Sequence, residues 1–291
     1  MTSKKRRAVR WAAGLSLMVI AMACFAFTAL ERHGKTLRLA EAVNRGERAD
    51  EREVRALLAS GADPNAPFGI QALTLTDALR VALRLKQPQE SKQTIFLYAA
   101  SHVNERVLRC LLEAGGDVRR HTPFGGTPLC LAVGSHLHRN VEMLVQHGAD
   151  VNCYGQPHTP LSEVFSTFGF GKIPNSDDLA FLLAHGADPN GHDQYGITPL
   201  MWAGFRSSPE TIGLLLQAHA DLNARDTVGA TPLIHAVISG NSTACAVFLK
   251  AGADPTLRDH QGRTAEEIAV AAGNKPLAAL IQHYTLHRAK H

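Results

Sequence analysis

Three histidines near the C-terminus, His283, His287 and His291, stand four residues apart. On one face of a helix that spacing suits a pair of metal ligands. No Asp, Glu or Cys stands among them, and a chain end frays, so a metal centre is not expected there. Of the five cysteines, Cys24 falls in an apolar stretch, and Cys110 and Cys245 are too far apart along the chain to pair. Cys130 and Cys153 are the one pair near enough for a disulfide, although buried thiols are the simpler expectation. The Asp of "HGADVN" at 147–152 recurs in "HGADPN" at 185–190, "SGADPN" at 60–65 and "AGADPT" at 251–256. One carboxylate per turn cannot gather the six or more oxygens that calcium takes. The chain contains no HExxH, no GxSxG, no Gly-Lys phosphate loop and no dinucleotide fingerprint. An enzyme is therefore not expected, and neither is a cofactor, a metal or a small-molecule substrate.

One six-letter pattern written four times around a constant GAD describes a building unit. "GGTPLCLAV", "GITPLMWAG" and "GATPLIHAV" begin at Gly125, Gly196 and Gly229, and "GRTAEEIAV" at Gly262. Thr198, Thr231 and Thr264 are 33 residues apart, and so are Thr94 and Thr127. In each unit Thr caps a first helix and Pro occupies its first turn. A second helix carries paired apolar residues such as Leu111-Leu112 and Leu215-Leu216. The Gly of GAD ends it in a left-handed conformation, and Asp and Asn shape the hairpin turn to the next unit. A unit of this kind cannot bury both faces alone, so its neighbours must stack on it. The count is seven units. The first is degenerate, and the last, from about 262 to 291, reads as a polar cap. An insertion at about 68–93 has helical spacing and is expected to form an extra helix. A second insertion, at about 165–178, places Phe165, Phe168 and Phe170 between glycines as a candidate binding loop, or as mere padding of the stack.

The net charge of +4 misleads. Five of the 30 Lys and Arg lie in the first ten residues, which leaves 25 against 26 Asp and Glu. The body is not a basic surface, and nucleic acid is not an expected partner. Residues 1–10 are read as a cytoplasmic tail. Residues 11–30, from Trp11 to Leu30, hold no charge and no proline, long enough as a helix to span a bilayer. With basic residues before it, this segment reads as a signal anchor that exports the remainder. A cleaved signal and a lipoprotein signal ending at Cys24 are the alternatives. Residues 31–36 are read as a linker to a repeat domain at 37–291.

Period, TPL and GAD together make the chain resemble the ankyrin-repeat family from about Leu37 to about His283. The fold class so implied is all-α: a solenoid of about seven helix-turn-helix units with short β-hairpin turns, preceded by one transmembrane helix. The resemblance also implies a protein partner, held on the hairpin tips and the inner ends of the first helices. Carried over by alignment, those positions are Phe124, Tyr154, Gln194, Tyr195, Arg225 and Arg258 on the turns. On the first helix of unit five they are Trp202, Phe205 and Arg206. Aromatic residues and Arg are favoured at binding hot spots. The expected function is a non-enzymatic interaction module tethered to the inner membrane and facing the periplasm. By resemblance, one use of such a module is immunity against a secreted toxic effector such as a phospholipase. The alternatives are a periplasmic scaffold or stabiliser of an envelope enzyme, and a cytosolic ankyrin adaptor.

Overall fold

The computed structural model describes residues 27–68, 94–122, 125–153, 159–165, 175–206 and 208–288. The chain forms two compact units, Met1–Asp117 and Val118–His291. In the first, α1 is helical from 27 to 44 and is followed by a 3-10 turn, Gly46–Arg48. Then come α2 (Glu51–Ala59), α3 (Ile95–His102) and α4 (Glu105–Glu113). Residues 31–36, expected as a linker, lie inside α1. Lys35 pairs with Glu31 at 3.0 Å, and the Thr36 hydroxyl donates to the Arg32 carbonyl, so the helix runs through them.

The apolar segment 11–30 lies outside the described residues except for 27–30, which are helical. Among the described residues no helix is long and apolar enough to cross a membrane. Nearly all of the insertion, residues 69–93, also lies outside them, and with it the expected extra helix. Its flanks meet, because Pro67 pairs with Thr94 and the Ile95 N–H donates to the Ala66 carbonyl.

The second unit continues as α5 (Pro128–Gly134), α6 (His138–Gln146), α7 (Pro160–Glu163), α8 (Ser176–Ala184) and α9 (Pro199–Arg206). It ends with α10 (Pro209–Gln217), α11 (Pro232–Ile238), α12 (Ser242–Lys250), α13 (Ala265–Ala271) and α14 (Lys275–Arg288). First helices pack on first helices and second helices on second helices.

The reasons are local. The hydroxyls of Thr127, Thr159, Thr198, Thr231 and Thr264 each accept an N–H three residues on. The Leu two places after the Thr is fully enclosed in four units: Leu129, Leu161, Leu200 and Leu233. Ala203, Ala236 and Ala269, three residues further on, are fully buried. Small residues are needed there, and a Cβ on neighbouring Gly204 would stand 3.2 Å from the Pro232 carbonyl oxygen. Second helices start at Asn175, Ser208 and Asn241, whose side chains cap them. They end at residues of positive φ, Gly148, Gly186 and Gly252. His219 holds the same conformation at φ 63 without being glycine.

The repeated "GADxN" has two distinct jobs. Each Asp turns inward on its own loop: Asp150, Asp188 and Asp221 accept the N–H two residues on, each at 2.8 Å. Each Asn reaches forward to the next repeat. Asn152 donates to the Gly186 carbonyl at 2.9 Å and accepts the Asp188 N–H at 2.8 Å. Asn190 does the same to His219 and Asp221, and Asn223 accepts the Asp254 N–H. Within the first unit Asn65 bridges to Gly115 and Asp117 across 50 and 52 residues. The last copy reads "ADPT", and Thr256 turns back on its own Asp254 because no GAD turn follows.

Among the described residues the turns before the first helices form no β-hairpin. The described residues contain no strand, only the isolated bridges Pro67↔Thr94 and Arg258↔Thr264. Buried Asp193, Asp226 and Asp259 build these turns instead. Each uses one carboxylate oxygen to accept the N–H groups two and four residues on. A strand partner would have taken those donors. Successive turns are joined by single backbone bonds, Thr227 N–H to Tyr195 C=O and His260 N–H to Val228 C=O, both 2.9 Å.

Replacing Asn190 by Ala removes both bonds of one bridge and should cost about 1–2 kcal/mol, read as a lower urea midpoint with the helical spectrum retained. Replacing His219 by Gly should raise stability by roughly 0.5–1 kcal/mol, the relief of a left-handed residue being partly offset by a freer unfolded chain.

Candidate protein-binding surface

The side chains expected to meet a partner were carried over by alignment, and the structure brings some of them together. Trp202 and Phe205 lie three residues apart on α9, hence on one face. Both are half-buried, with ring centroids 5.8 Å apart. Tyr195 and Gln194 are exposed on the turn that leads into α9. Tyr195 leaves 57 % of its surface open, although its N–H is held by Asp193 and its carbonyl by Thr227. A large aromatic on a turn so fixed loses little freedom on binding.

The arginines differ. Arg225 is exposed, and its guanidinium donates to the Arg258 carbonyl. Arg258 is occupied by the Gly262 carbonyl and by Glu267 at 3.1 Å. Glu267 is held below its ordinary range, first by the Thr264 N–H and, against burial, by the Arg258 guanidinium. Arg258 therefore serves the last repeat before any partner. Arg206 closes α9, and its side chain lies outside the described residues. Phe124, Tyr154, Phe168 and Phe170 lie outside them as well. Phe165 is half-buried just after α7, its N–H bonded to the Ser162 carbonyl.

Two residues at the position of Trp202, one in each compact unit, were missed. His235 on α11 occupies the place of Trp202, four residues past its Thr. Its ring lies 5.3 Å from that of Phe205, and its Nε2 pairs with buried Asp226 at 2.8 Å. In the first unit the corresponding residue is Tyr98, whose ring stacks between Phe68 at 4.1 Å and His102 at 4.0 Å. Counting four past each Thr would have found both. Selecting by aromatic or Arg identity on one helix did not.

Beside this patch is an open groove of about 580 Å³, lined by His192, Thr198, Asp221, Arg225 and Asp226 among others. Its charged groups are already bonded within the protein: Asp221 to Asn223, Asp226 to His235, Arg225 to the Arg258 carbonyl. A His–Asp pair is part of a hydrolytic triad, but here no hydrogen bond joins the His235 ring to a hydroxyl or thiol among the described residues. At the C-terminus His283 and His287 lie 4.4 Å apart, and His291 is outside the described residues. Among the described residues no three His, Cys, Asp or Glu are grouped to hold a metal. The arrangement suits recognition through rigid aromatic groups on a preformed surface.

The family model described as ankyrin repeats (3 copies) matches residues 39–154, 172–259 and 208–287. No curated protein matches the chain. The matched segments cover most of the sequence and contain the helix pairs, Thr caps and Asn bridges described above, and the chain belongs to the ankyrin-repeat family.

Proposed function

We propose that this ankyrin module binds one protein partner on the surface around unit five, and that residues 11–30 tether it to a bacterial inner membrane with its repeats in the periplasm. Ankyrin repeats are protein–protein interaction modules, and no catalytic motif is written in the chain. The observation that carries the choice of surface is Tyr195, 57 % exposed on a hydrogen-bonded turn beside the Trp202–Phe205 pair. The tether rests on 20 residues without charge or proline that follow five basic ones. A tethered binder without chemistry of its own acts by covering its partner. Of the roles that fit, we favour immunity: the module waits in the compartment where a toxic effector, such as a phospholipase, arrives and occludes it.

Tyr195→Ala combined with Trp202→Ala should weaken the complex by at least about 2 kcal/mol, roughly thirtyfold in Kd. Arg258→Ala should leave the affinity within about twofold, because that guanidinium is exposed and already engaged within its own repeat. Titration calorimetry with the partner recovered from native membranes reads both, and equal losses would remove the assignment to unit five. The partner's identity separates the roles. A lipase or other toxin supports immunity, and a resident envelope enzyme means a scaffold. Alkaline phosphatase fused after His291 should be active, whereas an inactive fusion means a cytosolic adaptor.

A further inference from the structure

Cys130 and Cys153 belong to the same repeat and its exit turn, and the Thr127 hydroxyl meets the backbone of the first and the sulfur of the second. Cys130 is the third residue of α5 and buried, whereas Cys153 is half-buried on the turn after α6. The Thr127 hydroxyl lies 3.3 Å from the Cys153 sulfur while it caps α5 by accepting the Cys130 N–H. One hydroxyl therefore holds the turn sulfur against the helix that carries the other. Cys110 and Cys245, by contrast, are each buried, 3 % and 0 % exposed.

We infer that Cys130 and Cys153 are a reactive dithiol that closes to an intramolecular disulfide by exchange with a low-molecular-weight disulfide such as oxidised glutathione, Cys153 attacking and Cys130 resolving. The Cys153 thiolate attacks one sulfur of the oxidant, whose S–S bond breaks and releases one thiolate. That thiolate takes the Cys130 proton. The Cys130 sulfur then attacks Cys153 in the mixed disulfide and displaces the second thiolate, which is protonated from water. Two protein thiols are oxidised to one disulfide, and one disulfide is reduced to two thiols.

The division of labour follows from the surroundings. The Cys130 hydrogen bond lowers Cys153 to about 7, with the Thr127 hydroxyl helping, against burial and the nearby charge of Asp150. Cys130 is pushed well up by giving that hydrogen bond, by burial and by the charge beside it. Burial alone pushes Cys245 up to about 12. The thiolate is the nucleophile, so attack falls to Cys153 near neutral pH. Oxidation draws the Cys153 sulfur from the Thr127 hydroxyl and ties α5 covalently to the turn leading into the fourth repeat. The inference is independent of the partner and of the membrane tether.

The test is full-length protein in detergent, equilibrated with mixtures of reduced and oxidised glutathione, alkylated with iodoacetamide and mapped peptide by peptide so that Cys24 is counted separately. With the alkylation carried out in denaturant, the expected result is one disulfide, Cys130–Cys153, with Cys110 and Cys245 still alkylated. Cys130→Ser should trap glutathione on Cys153, while Cys153→Ser should take up none at Cys130. Without oxidant at pH 7, Cys153 should be alkylated on the order of tenfold faster than Cys130. Helical circular dichroism of both variants checks that they fold. Free Cys130 and Cys153 under oxidised glutathione, or an adduct in folded Cys130→Ser that avoids Cys153, overturns the inference.

Discussion

The stack depends on one side chain used repeatedly. The Asn that closes each GAD turn is an amide, and it presents a donor and an acceptor with the spacing of a peptide group. It spends both on the backbone of the following repeat, as Asn152 does on Gly186 and Asp188. The contact is made between turns rather than within the core. It therefore fixes the rise from one repeat to the next where apolar packing alone would tolerate sliding. In such an array stability is nearly a sum of repeats and their interfaces, so a recurring interfacial bond recurs in the energy as well. The last copy obeys the same logic, for Thr256 replaces Asn where no GAD turn follows.

A lattice of this kind presents side chains at fixed intervals. Residues four past the capping Thr form one row in the second unit, where Trp202 and His235 are neighbours in the series. Their environments differ. Asp226 holds His235 in the row's buried part, and Phe205 bridges the two helices by touching both rings. The turn aspartates do for the loops what Asn does for the stack. With Asp193 taking two N–H groups, the Tyr195 turn needs no strand partner and remains open to solvent. The atoms that fix this turn are thus distinct from the side chain it exposes.

Much of the fold was legible because each motif letter has a local cause. Thr and Pro start helices wherever they stand, Gly ends them, and a 33-residue clock needs no tertiary information. What was not legible required a neighbour. The Asn reads as a turn residue until the next repeat is in place. The turns were expected as hairpins because the family resemblance implies them, and an Asp carboxylate that satisfies two backbone donors is recognised only in the folded turn. Residues 31–36, read as a linker, belong to a continuing helix along which Glu31 and Lys35 pair. At the surface, Trp202, Phe205 and Tyr195 were chosen by type and position together, and the structure sets the Trp202 ring beside that of Phe205. His235 and Tyr98 were passed over because position was not followed through every repeat.

The central claim is that a partner sits on the turn-and-first-helix side of unit five. The most direct measurement is site-specific photo-crosslinking in intact cells, with a benzophenone amino acid at Tyr195 and, separately, at exposed Gln217 on the second helix of the same repeat. The account predicts one discrete adduct from position 195 and none from position 217. An adduct from 217 with none from 195 would contradict it.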